Sequence, residues 1–249
     1  MSRMKFMNTE IDNLTMQETL QAIDRLIQED RSAYVVTPNV DHIVQLETSK
    51  ELQAVYENAS LILTDGKPLL WIAKWYGTPI KEKISGSDLF PLLCEMAAKK
   101  GYKMFFLGAA EGIAAKAAEN LANKFKGLQV VGAYSPPFGF EKNQDELDKI
   151  KSMIKEATPH ILIVGLGCPK QEKFMYHHCK EIGVPISFGL GASFDFEAGK
   201  IKRAPRWMSN HGLEWLFRIT QDPKRMAKRY LVDDRKILGL AIKYRKIGG

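Results

Sequence analysis

The chain has 249 residues, of which 45% are hydrophobic and 26% charged, so disorder, collagen and coiled coil are excluded as whole-chain descriptions. Its net charge of +7 is uneven: positions 200–249 hold fourteen lysines and arginines against four acidic residues, a net of +10, whereas positions 1–199 have a net of −3. Such a basic segment favours a phosphate-bearing partner, which is a nucleic acid, an anionic membrane or a diphosphate ligand.

The sequence also predicts a cellular compartment. No apolar run approaches the ~18 residues that a membrane span needs. The segment Met1–Glu10 is charged and lacks the apolar core of a signal peptide. Three cysteines without zinc-ligand spacing are typical of a reducing cytoplasm.

Strands and helices are predicted to alternate through the first 199 residues, because short apolar runs separate amphipathic ones. The predicted strands are Met4–Ile11, Ala33–Val36, Leu61–Leu63, Lys103–Leu107, Leu128–Tyr134, Ile161–Val164 and Pro185–Phe188. The first predicted helix follows the capping-box spacing at Thr15–Glu18 and ends at Ile27. The others are Val40–Asn58, Trp71–Tyr76, Ser87–Lys100, Glu111–Phe125, Asn143–Ala157 and Lys170–Glu181.

After Gly199 the pattern changes to helices alone, near His211–Thr220, from Pro223 onward, and over Asp233–Tyr244. Continuous apolar strands alternating with helices indicate a buried parallel sheet. The predicted fold class is therefore α/β, a Rossmann-like, mostly parallel sheet flanked by helices, with a basic helical appendage at the C-terminus. The predicted division is a catalytic domain of residues 1–199 and an appendage of residues 200–249.

In open α/β sheets, ligands bind beyond the carboxyl ends of the strands. Five loops qualify: Thr37–Asn39, Thr64–Pro68, Gly108–Gly112, Gly165–Gln171 and Gly189–Asp195. Asp65 is the clearest candidate, because it follows an apolar strand and precedes a glycine. A carboxylate there can accept the proton of an attacking hydroxyl, an effect of roughly 10²–10⁴ in rate. A turn residue that hydrogen-bonds its own backbone is the alternative.

Gly108 lies in a strand–glycine–helix turn, whose backbone N–H groups can hold a diphosphate. Close packing of helix on strand explains the same glycine, and both readings stay open. Neither this turn nor Gly165–Gly167 has the spacing G-x-G-x-x-G, so a nicotinamide-dependent oxidoreductase is a distant alternative. The P-loop motif is absent as well.

Asp195 and Glu197 stand two positions apart. On a strand they would share a face and could hold a divalent metal on a diphosphate. We favour the alternative, in which one acid makes a polar contact and the other lies at the surface, because no second acidic cluster accompanies them.

The basic segment interleaves arginines with tryptophan, tyrosine and leucine, a pattern typical of a helix lying in a membrane interface. A solvated helical cap over the core is the alternative. Nucleic-acid binding is disfavoured, since no RRM, KH or zinc-finger signature is present.

Several ordered motifs together resemble the TagA/WecG/CpsF family of bacterial glycosyltransferases. They are Thr37-Pro38-Asn39, Asp65-Gly66, Ser85-Gly86-Ser87-Asp88, Phe106-Leu107-Gly108, Pro136-Pro137-Phe138, Gly165-Leu166-Gly167 through Pro169-Lys170-Gln171-Glu172, and Gly191-Ala192 through Arg203-Ala204-Pro205. So many matches in order are far more specific than any single motif, and they run through most of the chain.

The resemblance implies transfer of a sugar from a UDP-sugar to a polyprenyl-diphosphate-linked GlcNAc at the cytoplasmic membrane face. TagA-like members transfer N-acetylmannosamine in the linkage unit of wall teichoic acid, and WecG-like members transfer its uronic acid. This chain looks most TagA-like. The resemblance further implies an inverting reaction that needs no metal or other cofactor, in a peripheral membrane protein. The oligomeric state, including a homo-oligomer, is left open.

The resemblance also implies roles for single residues. Asp65 corresponds to the catalytic base. The substrate-binding residues implied by the family or by their loops are Thr37, Asn39, Lys83, Gly108, Gln171, Asp195, Arg218, Arg225 and Arg229. The three arginines are expected to reach the active site from the appendage. Lys83 stands where some members carry arginine, and it keeps the charge but loses the bidentate fork.

Overall fold

The computed structural model describes residues 3–248, which form two compact units. The first unit comprises the residues up to Met16, Thr37–Ser85 and the chain from Ile201 onward. The second unit comprises Gln17–Val36 and Gly86–Lys200. The predicted division at residue 199 stays a prediction.

Eight strands and thirteen α-helices are found in residues 3–248, numbered here in chain order. The strands are β1 Arg3–Phe6, β2 Thr9–Asp12, β3 Ala33–Val36, β4 Leu61–Ile62, β5 Lys103–Gly108, β6 Gln129–Tyr134, β7 Ile161–Gly165 and β8 Ile186–Gly189. The helices are α1 Met16–Glu29, α2 Val40–Leu46, α3 Lys50–Glu57, α4 Lys67–Trp75, α5 Gly86–Lys100, α6 Ile113–Lys124, α7 Gln144–Ala157, α8 Lys170–Ile182, α9 Ser193–Glu197, α10 Arg206–Asn210, α11 Glu214–Gln221, α12 Pro223–Lys228 and α13 Lys236–Gly248. None of these helices is long and apolar enough to cross a bilayer.

The second unit carries most of the sheet. Five strands lie in the order β3-β8-β7-β5-β6, and every neighbouring pair is parallel. The central strands β5 and β7 are almost wholly buried, which their continuous apolar sequences require. The prediction of an α/β fold with a mostly parallel sheet flanked by helices is confirmed.

An aromatic cluster fills the core of the second unit. The rings of Phe90, Phe106 and Phe194 lie 5.3–5.6 Å apart between centroids, and all three side chains are fully buried. Burying one such side chain stabilises a fold by about 1.5–3 kcal/mol. The cluster therefore anchors α5 and α9 to β5, and it fixes the loop that follows β8.

The first unit combines an antiparallel hairpin, β1 with β2, with the helices on either side of β4 and those of the C-terminal segment. Asp12 joins the hairpin to β4, because its carboxylate accepts hydrogen bonds from the Arg3 guanidinium and, at 2.9 Å, from the backbone N–H of Ile62. Helix α13 is tied down in the same unit: the Tyr76 hydroxyl donates to the carbonyl of Ala241 at 2.7 Å.

Two expectations about local structure are wrong. The single strand predicted over Met4–Ile11 is the hairpin of β1 and β2. The helix predicted over Val40–Asn58 is two helices, because Ser49 caps α3 by accepting a hydrogen bond from the N–H of Leu52 at 3.2 Å. The strand on which Asp195 and Glu197 would share a face was the alternative that we did not favour, and both residues lie on α9. Residues two apart on a helix point in different directions, so this pair does not form a shared metal-binding face.

Candidate active site

The first unit encloses a cavity of about 400 Å³, which lies in the range of small-molecule sites. Its lining brings together residues up to 199 positions apart in the sequence. Charged members of the lining include Asp65, Lys83, Glu214, Arg218, Arg229 and Asp234. Five of the predicted site residues, Asn39, Asp65, Lys83, Arg218 and Arg229, therefore line one cavity.

Asp65 is positioned by the backbone around β4. Its own N–H donates to the carbonyl of Pro38 at 2.8 Å, and the carbonyl of Thr64 accepts from the N–H of Ile84 at 2.8 Å. Gly66 follows with φ at 107°, a conformation that strains any side chain, and helix α4 begins directly after it. The loop therefore holds the carboxylate at a defined place in the cavity wall.

The electrostatics of Asp65 suit proton transfer near neutral pH. Burial raises the pKa of its carboxyl to about 6, even though Arg218 and Lys83 pull it down. Glu214 adds to the rise through its negative charge. A base with a pKa close to the working pH is ionised yet still basic enough to accept a proton from a hydroxyl.

Arg218 belongs to α11 and faces the same cavity. Its Nη2 atom donates to Oε1 of Glu214 at 2.8 Å, one helical turn earlier. Burial lowers the pKa of Arg218, but Glu214, Tyr230 and Asp65 outweigh it, and the net change is upward. The guanidinium therefore stays charged, and Glu214 fixes its direction.

Arg229 reaches the cavity from a single π-helical turn, Arg229–Asp233. Its Nη2 atom donates to Oδ1 of Asn39 at 3.1 Å and lies 3.7 Å from Oδ2 of Asp41. Its guanidinium carbon lies 5.6 Å from the centroid of the Tyr230 ring. Such π turns recur at functional sites, and here one aims an arginine at the start of α2.

Asn39 has a local structural role besides any contact with substrate. Its Oδ1 caps α2 by accepting from the N–H groups of Asp41 and His42 at 3.0 and 3.4 Å. The same oxygen lies 2.9 Å from Nδ1 of His42. Because Arg229 also donates to it, the cap couples the start of α2 to the C-terminal segment.

The remaining predicted site residues of the first unit are Thr37, Lys83 and Arg225. Thr37 is buried. Lys83 lines the cavity with its Nζ 3.5 Å from Oγ of Ser85, at the limit of a hydrogen bond. The side chain of Arg225 lies outside the described part of the structure.

Three predicted residues belong to the second unit. Gly108 has φ at 116°, and a Cβ there would lie 2.5 Å from the carbonyl oxygen of Gly165, so close strand packing accounts for this glycine. Gln171 is buried, and its Oε1 accepts from the N–H of Gly191 at 3.1 Å. Asp195, on α9, lies 3.7 Å from Nζ of Lys200.

Sequence reasoning missed several residues that line the cavity, among them Glu214, Tyr230 and Asp234. Glu214 could have been found, because it stands four residues before Arg218, which is the spacing of an ion pair on one helix face. The other two carry no comparable signal, since the turn that positions them has no recognisable sequence pattern.

The model of the Glycosyl transferase WecG/TagA/CpsF family matches residues 4–248. The chain is also similar to three proteins that share the name N-acetylglucosaminyldiphosphoundecaprenol N-acetyl-beta-D-mannosaminyltransferase. It is 33% identical over 203 residues to that of Bacillus spizizenii, which covers 81% of this chain and 76% of the relative. The identity to the Bacillus subtilis protein is 28% over 202 residues, which covers 81% of this chain and 77% of the relative. The identity to the Staphylococcus aureus protein is 24% over 229 residues, which covers 91% of this chain and 88% of the relative.

Proposed function

Because the chain belongs to the WecG/TagA/CpsF family of glycosyltransferases, we propose that it moves N-acetylmannosamine from UDP-N-acetylmannosamine to the GlcNAc of undecaprenyl-diphosphate-GlcNAc. In this proposal the product serves the linkage unit of wall teichoic acid. The acceptor and the transferred sugar are those in the names of the three relatives. The observation that carries the proposal is Asp65, a carboxylate with its pKa raised to about 6, in a cavity that two arginines also line.

Asp65 acts as the general base. As a hydroxyl oxygen of the acceptor GlcNAc attacks the anomeric carbon of the donor, its proton passes to the carboxylate of Asp65. The bond from the anomeric carbon to the diphosphate oxygen breaks, and UDP leaves with the electron pair. A single displacement of this kind inverts the anomeric carbon. Placing a base of matched pKa contributes roughly 10²–10⁴ to the rate.

Arg218 and Arg229 stabilise the leaving UDP, on which negative charge grows during transfer. Guanidinium groups bind phosphate oxygens with two parallel hydrogen bonds and stay charged at every relevant pH. Removing one preorganised hydrogen-bond donor from developing negative charge costs about 3–4 kcal/mol in enzyme sites. Glu214 and Asn39 hold these two arginines in place, through contacts at 2.8 and 3.1 Å.

The first unit is proposed to dock on the inner face of the cell membrane, where the lipid-linked acceptor lies. On α13, Leu238 and Ile242 stand one turn apart and are 68% and 52% exposed. Exposed basic residues on and beside this helix include Arg235, Lys236 and Lys246. Apolar side chains in the lipid and about 1 kcal/mol per basic residue at an anionic surface suffice for reversible binding.

Vesicle binding tests the docking. Vesicles with anionic lipid are expected to retain the wild-type protein at low salt and to release it at high salt. Ile242→Glu should weaken the binding severalfold. Phe138→Glu makes the same change at a side chain of the second unit that is 99% exposed, and it should bind as wild type does. Equal binding of wild type and Ile242→Glu argues against the docking.

A transfer assay tests the reaction. The acceptor is a short-chain lipid diphosphate carrying GlcNAc, and the donors are UDP-N-acetylmannosamine, its uronic acid form, UDP-GlcNAc and UDP-glucose. We expect N-acetylmannosamine to be transferred at the highest kcat/KM, and transfer to continue in the presence of a chelator. Preference for the uronic acid donor supports a WecG-like activity instead. Absence of any transfer overturns the proposed function.

A further inference from the structure

Asp234 is an acidic residue in the cavity that the reaction above does not use. It directly follows the π-helical turn Arg229–Asp233, and its N–H donates to the carbonyl of Arg229 at 2.8 Å. The residue is only 7% exposed, yet it lines the same cavity as Asp65. The chain therefore places a second buried acid at the wall where substrate is proposed to bind.

The two carboxylate oxygens of Asp234 differ in their surroundings. Oδ2 lies 3.9 Å from Nε of Arg229, in a loose ion pair. Oδ1 is buried and accepts no hydrogen bond from the residues whose side chains the structure describes. A buried acceptor without a partner is costly, and native structures keep few of them.

Burial raises the pKa of Asp234 to about 6, although Arg229 and His42 lower it. Asp41 and Asp233 add to the rise through their negative charges. At neutral pH the side chain is therefore mostly an anion whose Oδ1 can accept a hydrogen bond. A phosphate group cannot supply that bond, because like charges repel.

We infer that the carboxylate of Asp234 accepts a hydrogen bond from a hydroxyl group of a sugar bound in the cavity, and that this contact helps to select the sugar. The inference rests on the proposed function, which brings two hydroxyl-rich sugars to the site. Hydroxyl-to-carboxylate bonds are short and strong. A site built to receive one rejects an analogue that lacks the hydroxyl, because the acceptor is then left unpaired.

The test is a double-mutant cycle between the protein and its substrates. Monodeoxy analogues of the donor sugar are compared with the full donor. Monodeoxy analogues of the acceptor GlcNAc, which keep the attacking hydroxyl, are compared with the full acceptor. On the wild type, we expect one analogue to lower kcat/KM by about 10- to 100-fold. On Asp234→Ala, that analogue and the full sugar should react within about threefold of each other. The analogue that shows the effect identifies donor or acceptor as the source.

Asp233→Asn is the matched control. It removes a negative charge one position earlier, from a residue that lines a different cavity, and should keep the wild-type discrimination. If Asp234→Ala shows no melting transition, Asp234→Leu, which is similar in shape and has no hydrogen-bond acceptor, takes its place in the cycle.

Two results overturn the inference while leaving the proposed function intact. One is a wild type that uses every analogue within threefold of the full sugar. The other is an Asp234 variant that keeps the whole wild-type penalty, which would make Asp234 solely a positioning residue for Arg229. A wild type that transfers no sugar overturns the function and the inference together.

Discussion

Replacing Asp65 by asparagine is expected to abolish most turnover and, at the same time, to stabilise the protein. The pKa of this carboxyl rises from 3.8 to about 6 on folding, with burial as the main cause. One pKa unit corresponds to about 1.4 kcal/mol, so the ionised carboxylate costs the folded state about 3 kcal/mol as an upper bound. Asparagine carries no charge and avoids that cost.

The sign and the pH range follow from the two pKa values. Below pH 3.8 the carboxyl is protonated in both states, and the folded protein bears no penalty. The penalty grows as pH rises above that value and is complete above the folded pKa of about 6. The stability gain of Asp65→Asn should thus be about 3 kcal/mol at pH 8 and roughly half as large at pH 5.

Urea unfolding of both proteins at pH 5 and pH 8 measures this difference, in which the titration of all other groups cancels. Asp24→Asn is a control of opposite sign: burial raises the pKa of Asp24, but hydrogen bonds from Lys100 and Tyr102 lower it on balance. That variant should lose stability. A gain for Asp65→Asn that does not change with pH, or a loss at pH 8, refutes the reasoning.

Three further changes test other parts of the molecule. In a pH–rate profile of the wild type, kcat/KM should fall tenfold per pH unit below about pH 6. Glu214→Gln should move this fall to lower pH, because it removes a negative charge that raises the pKa of Asp65. Arg229→Lys should lower kcat by about 10- to 100-fold in steady-state assays, because lysine keeps the charge but loses the fork. Gly108→Ala should reduce the free energy of unfolding by about 2–4 kcal/mol in urea titrations, because its Cβ meets the carbonyl of Gly165.

The parallel sheet was predictable because β5, β7 and β8 are short, predominantly apolar segments that end in glycine. The position of Asp65 was predictable as well, since a polar residue that directly follows a buried strand lies at the carboxyl end of that strand, where ligands bind in such sheets. The break between α2 and α3 was not predictable, because Ser49 caps the start of α3 inside a sequence pattern that continues over both helices.

The contribution of the C-terminal segment was predictable only in part. Its charge predicted a phosphate ligand, and the predicted residues Arg218 and Arg229 line the cavity. The buried acid Asp234 was hidden, because an aspartate within a basic segment reads as a solvated residue unless the backbone turn is known. Composition reveals net charge, whereas the burial of a single carboxylate depends on long-range packing.

The arginines of the cavity have two electrostatic effects on the proposed reaction. As cations they favour the charge that develops on a leaving diphosphate, and Arg218 also keeps the pKa of Asp65 from rising further. A cavity with burial alone would leave Asp65 protonated at neutral pH and useless as a base. A cavity with cations alone would leave it ionised but too weak a base. Glu214, which directs Arg218 and raises the pKa of Asp65, sets the balance between these limits, so the tuning of the base depends on a residue that lies about 150 positions away in the chain.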